Sequence, residues 1–147
     1  MQIAKARGAY VIATASPGKT DFVRALGADE VIDYTKDDFT GKVGNVDLVL
    51  DPIGGDHADQ SLAVLRGGVL VSLLNVHDAT RAKASARGIH VERMSVLPDR
   101  DGLVELARLV DAGKLSPHVA KTFPLDQAGA AHAFLTTRPI GKVVLTV

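Results

Sequence analysis

The sequence reads as an α/β protein built on a parallel sheet. Short β-branched runs alternate along the chain with amphipathic, alanine-rich segments, which is the order of βαβ units. The runs are nearly continuously apolar rather than alternating, as in strands with helices over both faces. Glycine recurs where each helical segment has to stop, as a left-handed cap requires.

The elements follow from these signals in chain order. Residues Gln2 to Arg7 read as the last turns of a helix and Gly8 as its stop. Tyr10 to Thr14 is the first predicted strand. Pro17 suits a helix start, Phe22, Val23 and Leu26 share one helical face, and Gly27 ends the segment. Glu30 to Tyr34 and Val46 to Leu50 are the next two strands. Asp56 can cap a helix carrying Leu62 and Leu65, with Gly67 and Gly68 at its end. Gly68 to Leu74 and Ile89 to Arg93 complete the strands, and the basic, small-residue stretch from His77 to Gly88 between them reads as a solvated helix or mobile loop. Leu103, Leu106, Ala107 and Val110 form a further helical stripe closed by Gly113. Beyond Leu115 the texture changes: Pro117 to Leu125 is extended, Asp126 can cap a short helix with Ala130, Phe134 and Leu135 on one face, and Lys142 to Val147 is a terminal strand. This tail need not belong to the same sheet.

Composition narrows the function. A chain of 147 residues, 46% hydrophobic, supports one core, or one domain with an appendage, rather than two full domains. Lys and Arg balance Asp and Glu at 17 each, which argues against nucleic acid or a membrane surface as partner and leaves a small molecule or another protein. There is no cysteine, hence no disulfide framework and no thiolate metal site. Lys5 and Arg7 interrupt the only apolar residues near Met1, so no signal peptide is expected, and the longest apolar stretch, Val69 to Val76, is far short of the ~20 residues of a membrane span. The expectation is a soluble, cytoplasmic protein. None of the histidines 57, 77, 90, 118 and 132 pairs at metal-binding spacing, and Ser72, Ser85, Ser95 and Ser116 lack a nucleophile-elbow context. No metal site is expected.

The informative unit runs from Tyr10 to Leu26, followed by the strand ending in Tyr34. In a dinucleotide-binding fold the second strand ends beside the adenosine ribose, where an acidic residue accepts from the 2′-hydroxyl of NAD. Here the strand ends Ala13-Thr14-Ala15-Ser16, without a carboxylate. The Ser16 hydroxyl and the Lys19 ammonium in the first turn beyond instead suit a 2′-phosphate, through a hydrogen bond and a charge interaction aided by the helix start. That points to NADP(H) over NAD, with Tyr34 near the same adenosine-phosphate end. Each residue also has a plainer reading: Lys19 as a solvated surface charge, Ser16 as an N-cap, Tyr34 as packing.

The segments ATASPGK, ALGADEVIDY, VDLVLDPIGG, GGVLVSLLN and PLDQAGAAHAFLTTRPIGKVVLTV, in that order and over nearly the whole chain, resemble successive signatures of the medium-chain dehydrogenase/reductase superfamily, in its zinc-independent, zeta-crystallin-like quinone oxidoreductase branch. The resemblance implies a Rossmann-type doubly wound parallel sheet for residues 1–113, and a tail, 114–147, that returns to a catalytic domain. It matches Ser16, Lys19 and Tyr34 to the 2′-phosphate positions. It matches Ile53, in the DPIGG turn, to a loop against the cofactor, and Leu73, Leu74 and Asn75 to a turn near the nicotinamide, reached mainly through backbone contacts. Gly54 and Gly55 are equally explained by a tight turn, and Leu73 and Leu74 by core packing. Arg138 and Lys142 read either as cations approaching the phosphate end from the tail or, more plainly, as surface charge flanking the last strand.

The implied activity is NADP(H)-dependent reduction of a quinone or α,β-unsaturated carbonyl by hydride transfer, with an enoyl-thioester reductase as the nearest variant. No catalytic residue is assigned. The alternative is a non-catalytic Rossmann module acting in assembly or protein interaction. Against the family's pattern, QIAKARGA matches the end of the first Rossmann helix, so the first strand and its glycine-rich loop have no counterpart in this sequence. In the usual order 3-2-1-4-5-6 that strand is central, and each unmade buried hydrogen bond along its neighbours costs roughly 1–3 kcal/mol. The expectation is that Tyr10–Thr14 pairs directly with Val46–Leu50, or that exposed strand edges draw in a second copy to form a homo-oligomer.

Overall fold

A computed structural model describes all residues from Met1 to Val147. Its elements are α1 (Gln2–Ala6), β1 (Ile12–Ala15), α2 (Thr20–Ala25), β2 (Glu30–Asp33), β3 (Val46–Asp51), α3 (Asp56–Val64), β4 (Leu65–Ser72), α4 (Asp78–Ala86), β5 (His90–Arg93), α5 (Arg100–Asp111), β6 (Val119–Pro124), α6 (Ala128–Leu135) and β7 (Lys142–Thr146). The chain divides into two compact units, Met1–Ile32 with Asp99–Val147, and Asp33–Pro98. No helix is long and apolar enough to cross a membrane.

The unit Asp33–Pro98 is a run of βαβ units. Its strands lie in the order β3-β4-β5 and pair in parallel. Right-handed crossovers that advance in one direction leave both connecting helices on the same face of a sheet. Ala58 and Leu62 of α3, Ala84 of α4 and Leu70 of β4 accordingly share one buried cluster with Leu65, Val76 and Ile89, and Val49 and Val91 pack against it. Leu48 and Leu50 alternate with Val49 and point the other way, where both remain exposed. The covering over both faces that the apolar runs suggested is thus absent from this unit.

Its helix boundaries differ from the expected ones for local reasons. Gly55, at φ 58°, precedes α3, and Asp56 is the first helical residue rather than the cap. The helix stops at Val64, before the glycine pair. Carbonyls on either side of its end are taken by Arg87, whose guanidinium donates to Leu62 O in the helix and to Leu65 O just beyond it, each at 2.9 Å. Gly67 and Gly68, at φ 77° and 79°, lie inside β4, where the pairing jumps from Val46–Leu65 to Leu48–Val69. The pair therefore forms a bulge, not a helix cap. The stretch from His77 to Gly88 is helical, as α4.

In the other unit β1 pairs with β2. Lys5 joins α1 to this pair: its ammonium donates to Asp29 at 2.7 and 2.9 Å and to Ala9 O at 3.0 Å, while Asp29 also accepts from Val11 N at 2.7 Å. The strand starts two residues later than expected, and Tyr10 is exposed, its hydroxyl donating to Glu30 at 2.7 Å. Direct pairing between the strands at 10–14 and 46–50 does not occur, because β1 and β3 belong to separate sheets. Each pairs with a strand one helix away along the chain, the short closure that costs least entropy. The tail forms its own βαβ unit. β6 and β7 pair in parallel with α6 against both, Phe123 and Phe134 meeting at 5.9 Å. Asp126 sits in a 3₁₀ turn before α6 and supplies no side-chain cap. The amphipathic α5 is capped by Asp99, which accepts from Gly102 N at 2.9 Å, yet it buries no residue.

Candidate cofactor site

At the end of β1, Ser16 has extended backbone (φ −75°, ψ 157°) and leads into a 3₁₀ turn, Pro17–Lys19, continued by α2. Proline at the first position of that turn has the φ the turn requires. The Ser16 hydroxyl makes no capping bond; only its carbonyl is engaged, accepting from Lys19 N at 2.9 Å and from the Thr20 hydroxyl at 3.3 Å. Ser16 thus stands at the N-cap position of the turn without making a side-chain capping bond. Lys19, half-buried, takes part in none of the chain's ion pairs, although Lys5, Lys36, Lys42 and Lys83 each hold an aspartate. The Ser16 hydroxyl and the Lys19 ammonium, three residues apart, are both free of the chain's own acceptors, and the intervening Gly18 adds no side chain.

Tyr34 lies just beyond β2, in the unit Asp33–Pro98. It follows Asp33, which accepts from the Thr35 hydroxyl at 2.6 Å and from Thr35 N at 3.0 Å. The Thr35 hydroxyl bond is the main reason the Asp33 carboxyl is held below the usual carboxylate range. The Tyr34 side chain, 59% exposed, is not packed away.

Two turns meet in the same unit. Asp51 closes β3, and its Oδ1 accepts from Ile53 N at 2.9 Å and Gly54 N at 3.0 Å. Ser72 closes β4, and its hydroxyl donates to Leu74 O at 3.0 Å and accepts from Leu74 N at 3.3 Å. Gly55 N donates to Asn75 O at 3.4 Å. Gly54, at φ 69°, lies so close that a β-carbon on it would come within 2.8 Å of Leu74 Cβ. Ile53, Leu74 and Asn75 are thereby brought side by side, with Leu73 tied down through its N–H on Asp51 O at 3.0 Å. All four are exposed, so Leu73 and Leu74 are not the core residues their apolarity suggested. Both turns lie at the carboxyl ends of parallel strands, where ligands of open α/β sheets bind.

Sequence reasoning passed over Asp51 and Ser72. The available signal was a carboxyl ending the run Val46-Asp47-Leu48-Val49-Leu50-Asp51 ahead of Pro-Ile-Gly-Gly, and a serine in an otherwise apolar strand. A polar side chain at the mouth of a buried strand has to be spent on nearby backbone.

Elsewhere, a cavity of about 490 Å³ in the first unit is lined by Phe22, Leu26, Leu115 and His118 among others, and by none of Ser16, Lys19, Tyr34, Ile53, Leu73, Leu74 or Asn75. No three His, Cys, Asp or Glu side chains gather as a metal-binding group.

Comparison with known proteins places this arrangement. The chain is 36% identical over its whole length to a spectinabilin polyketide synthase system protein, NorB, of Streptomyces orinoci, and spans 7% of it. It is 33% identical, again over its whole length, to the mitochondrial NAD(P)H oxidoreductase RTN4IP1 of Mus musculus, and spans 44% of that protein. The structure superposes over 99% of the chain on a quinone oxidoreductase from Coxiella burnetii with a TM-score of 0.87 and 33% identity, covering 47% of that chain. The chain thus spans about half the length of the two single oxidoreductases, and its own fold is a Rossmann-like α/β arrangement with parallel sheets. The profile of the zinc-binding dehydrogenases matches residues 26–145, and the chain belongs to that family, within the medium-chain dehydrogenase/reductase superfamily.

Proposed function

We propose that this chain is the cofactor-binding part of an NADP(H)-dependent oxidoreductase that reduces a quinone or an α,β-unsaturated carbonyl. Residues 1–113 serve the cofactor in this reading, and 114–147 the catalytic domain. The observation that carries it is the pair of uncommitted donors at the end of β1, the Ser16 hydroxyl and the Lys19 ammonium, with no carboxylate among residues 13–19. A carboxylate there would repel a 2′-phosphate; a cation and a hydroxyl attract it. Tyr34 keeps an exposed ring and hydroxyl, which suit the adenosine end of a dinucleotide. Ile53 and the Leu73–Asn75 turn present backbone and apolar surface to the nicotinamide, orienting it and excluding water. Hydride transfer is the chemistry the dinucleotide supplies when bound. The chain's own residues hold, orient and shield, and no metal ligand or protein nucleophile is needed for that work.

Likeness to a polyketide synthase protein supports a second substrate class, an enoyl thioester, whose conjugated carbonyl accepts hydride in the same way.

Titration of the purified chain with NADPH and NADH, followed by nicotinamide fluorescence, tests the cofactor reading. Lys19→Glu replaces attraction by repulsion and is expected to weaken NADPH by at least about tenfold while leaving NADH within about twofold. Equal losses for both cofactors, or no binding at millimolar NADPH, overturn the reading.

A further inference from the structure

Asp51 and Ser72 stand opposite each other in the register of β3 and β4, and both are buried, at 4% and 0% exposure. Each spends its side chain on the turn that follows its own strand: Asp51 on the amides of Ile53 and Gly54, Ser72 on both backbone groups of Leu74. Backbone bonds cross between them, from Leu73 N to Asp51 O and from Gly55 N to Asn75 O. The second carboxyl oxygen of Asp51 is buried and takes no hydrogen bond from the chain. A carboxyl kept in such a place costs desolvation. Its return is the pair of turn amides on Oδ1, which no apolar residue could hold.

We propose that Asp51 and Ser72 are positioning residues for the nicotinamide end of the cofactor. They act through the backbones of Ile53–Gly54 and Leu73–Asn75, which they hold in one fixed juxtaposition. The inference rests on the reading that these turns face the dinucleotide. With Asp51 cut back, the two amides lose their acceptor, the Ile53 turn loosens, and the surface presented to the nicotinamide is no longer preorganised. The Ser16 and Lys19 donors are untouched by that change.

The test compares NADPH with 2′,5′-ADP, which carries the phosphoadenosine end without the nicotinamide, by calorimetric titration of the purified chain. Asp51→Ala is expected to weaken NADPH by about tenfold and 2′,5′-ADP by no more than about twofold. Asp51→Asn retains Oδ1 as acceptor and is expected to restore NADPH affinity and the amide NMR resonances of Ile53 and Gly54. Ser72→Ala should shift the Leu74 resonance and cost NADPH, but not 2′,5′-ADP, a smaller factor. If Asp51→Ala does not fold, Asp51→Asn and Ser72→Ala decide the matter with the same two ligands. Wild-type chain that binds both ligands, with a ratio of affinities unchanged in every folded variant, overturns this inference alone. Wild-type chain that binds neither overturns the cofactor reading and this inference with it.

Discussion

Asp29 gathers more hydrogen bonds than any other carboxylate of the first unit, two contacts from Lys5 and one from Val11 N. The Lys5 bond is the largest cause, and the Val11 amide the next, of a carboxyl held below its ordinary value of 3.8. A carboxyl whose value is lower in the folded than in the unfolded chain binds fewer protons when folded. Its contribution to stability is therefore fully present above the ordinary value and is lost as pH falls through the lower, folded one. Asp29→Asn is expected to be less stable than wild type at neutral pH, with the gap narrowing in a urea series carried down through pH 3.8. A gap constant across that series would mean that the charge on Asp29 is not its source. At this scale the sequence was informative where a side chain had nothing nearby to do. Ser16 and Lys19 stand out because no carboxylate ends their strand, and the folded chain gives the Ser16 hydroxyl no capping bond. Asp51 and Ser72 stayed hidden because their work is on backbone amides, and only the folded turns bring those amides to them.

The positions of most helices and strands were legible from apolar stripes and glycine stops, but the join of α3 and β4 was not. Two adjacent glycines after an apolar helical stripe read equally as a cap or as a bulge, and the carbonyls that a glycine cap would satisfy are claimed instead by Arg87 from 22 and 25 residues away. The two glycines differ in a way that mutation can separate. Both have left-handed φ, but a β-carbon on Gly67 meets nothing within 4 Å, whereas one on Gly68 would collide with the Asp47 carbonyl. Gly67→Ala should therefore cost only the left-handed backbone, about 1–2 kcal/mol, while Gly68→Ala adds displacement of β3 and is expected to cost at least about 1 kcal/mol more. Urea midpoints measure the difference, and equal costs would show that the bulge yields without strain.

Nearly continuous apolar runs such as Val46–Leu50, broken only by Asp47, suggested strands buried on both faces, yet the order β3-β4-β5 sends α3 and α4 to one side, and Leu48 and Leu50 remain exposed on the other. Periodicity reports that a residue is apolar; topology decides whether anything covers it. The same division runs through α5, whose stripe is among the clearest in the sequence although Leu103 is 67% and Val110 41% exposed. Stability across the molecule is accordingly uneven. β4 is paired on both sides and holds Leu70 and Ser72 at 0% exposure, so its amides can exchange only when the unit Asp33–Pro98 opens. A helix with no buried residue has little besides its own hydrogen bonds and the Asp99 cap to keep it formed, and twelve residues is near the length at which isolated helices are marginal in water. Hydrogen exchange followed by mass spectrometry should find the β4 amides slower than those of α5 by orders of magnitude, since local opening needs far less free energy than opening of a packed unit. Comparable protection in α5 would mean that its apolar stripe is covered in solution, and the account of this helix as an unsupported element would fail.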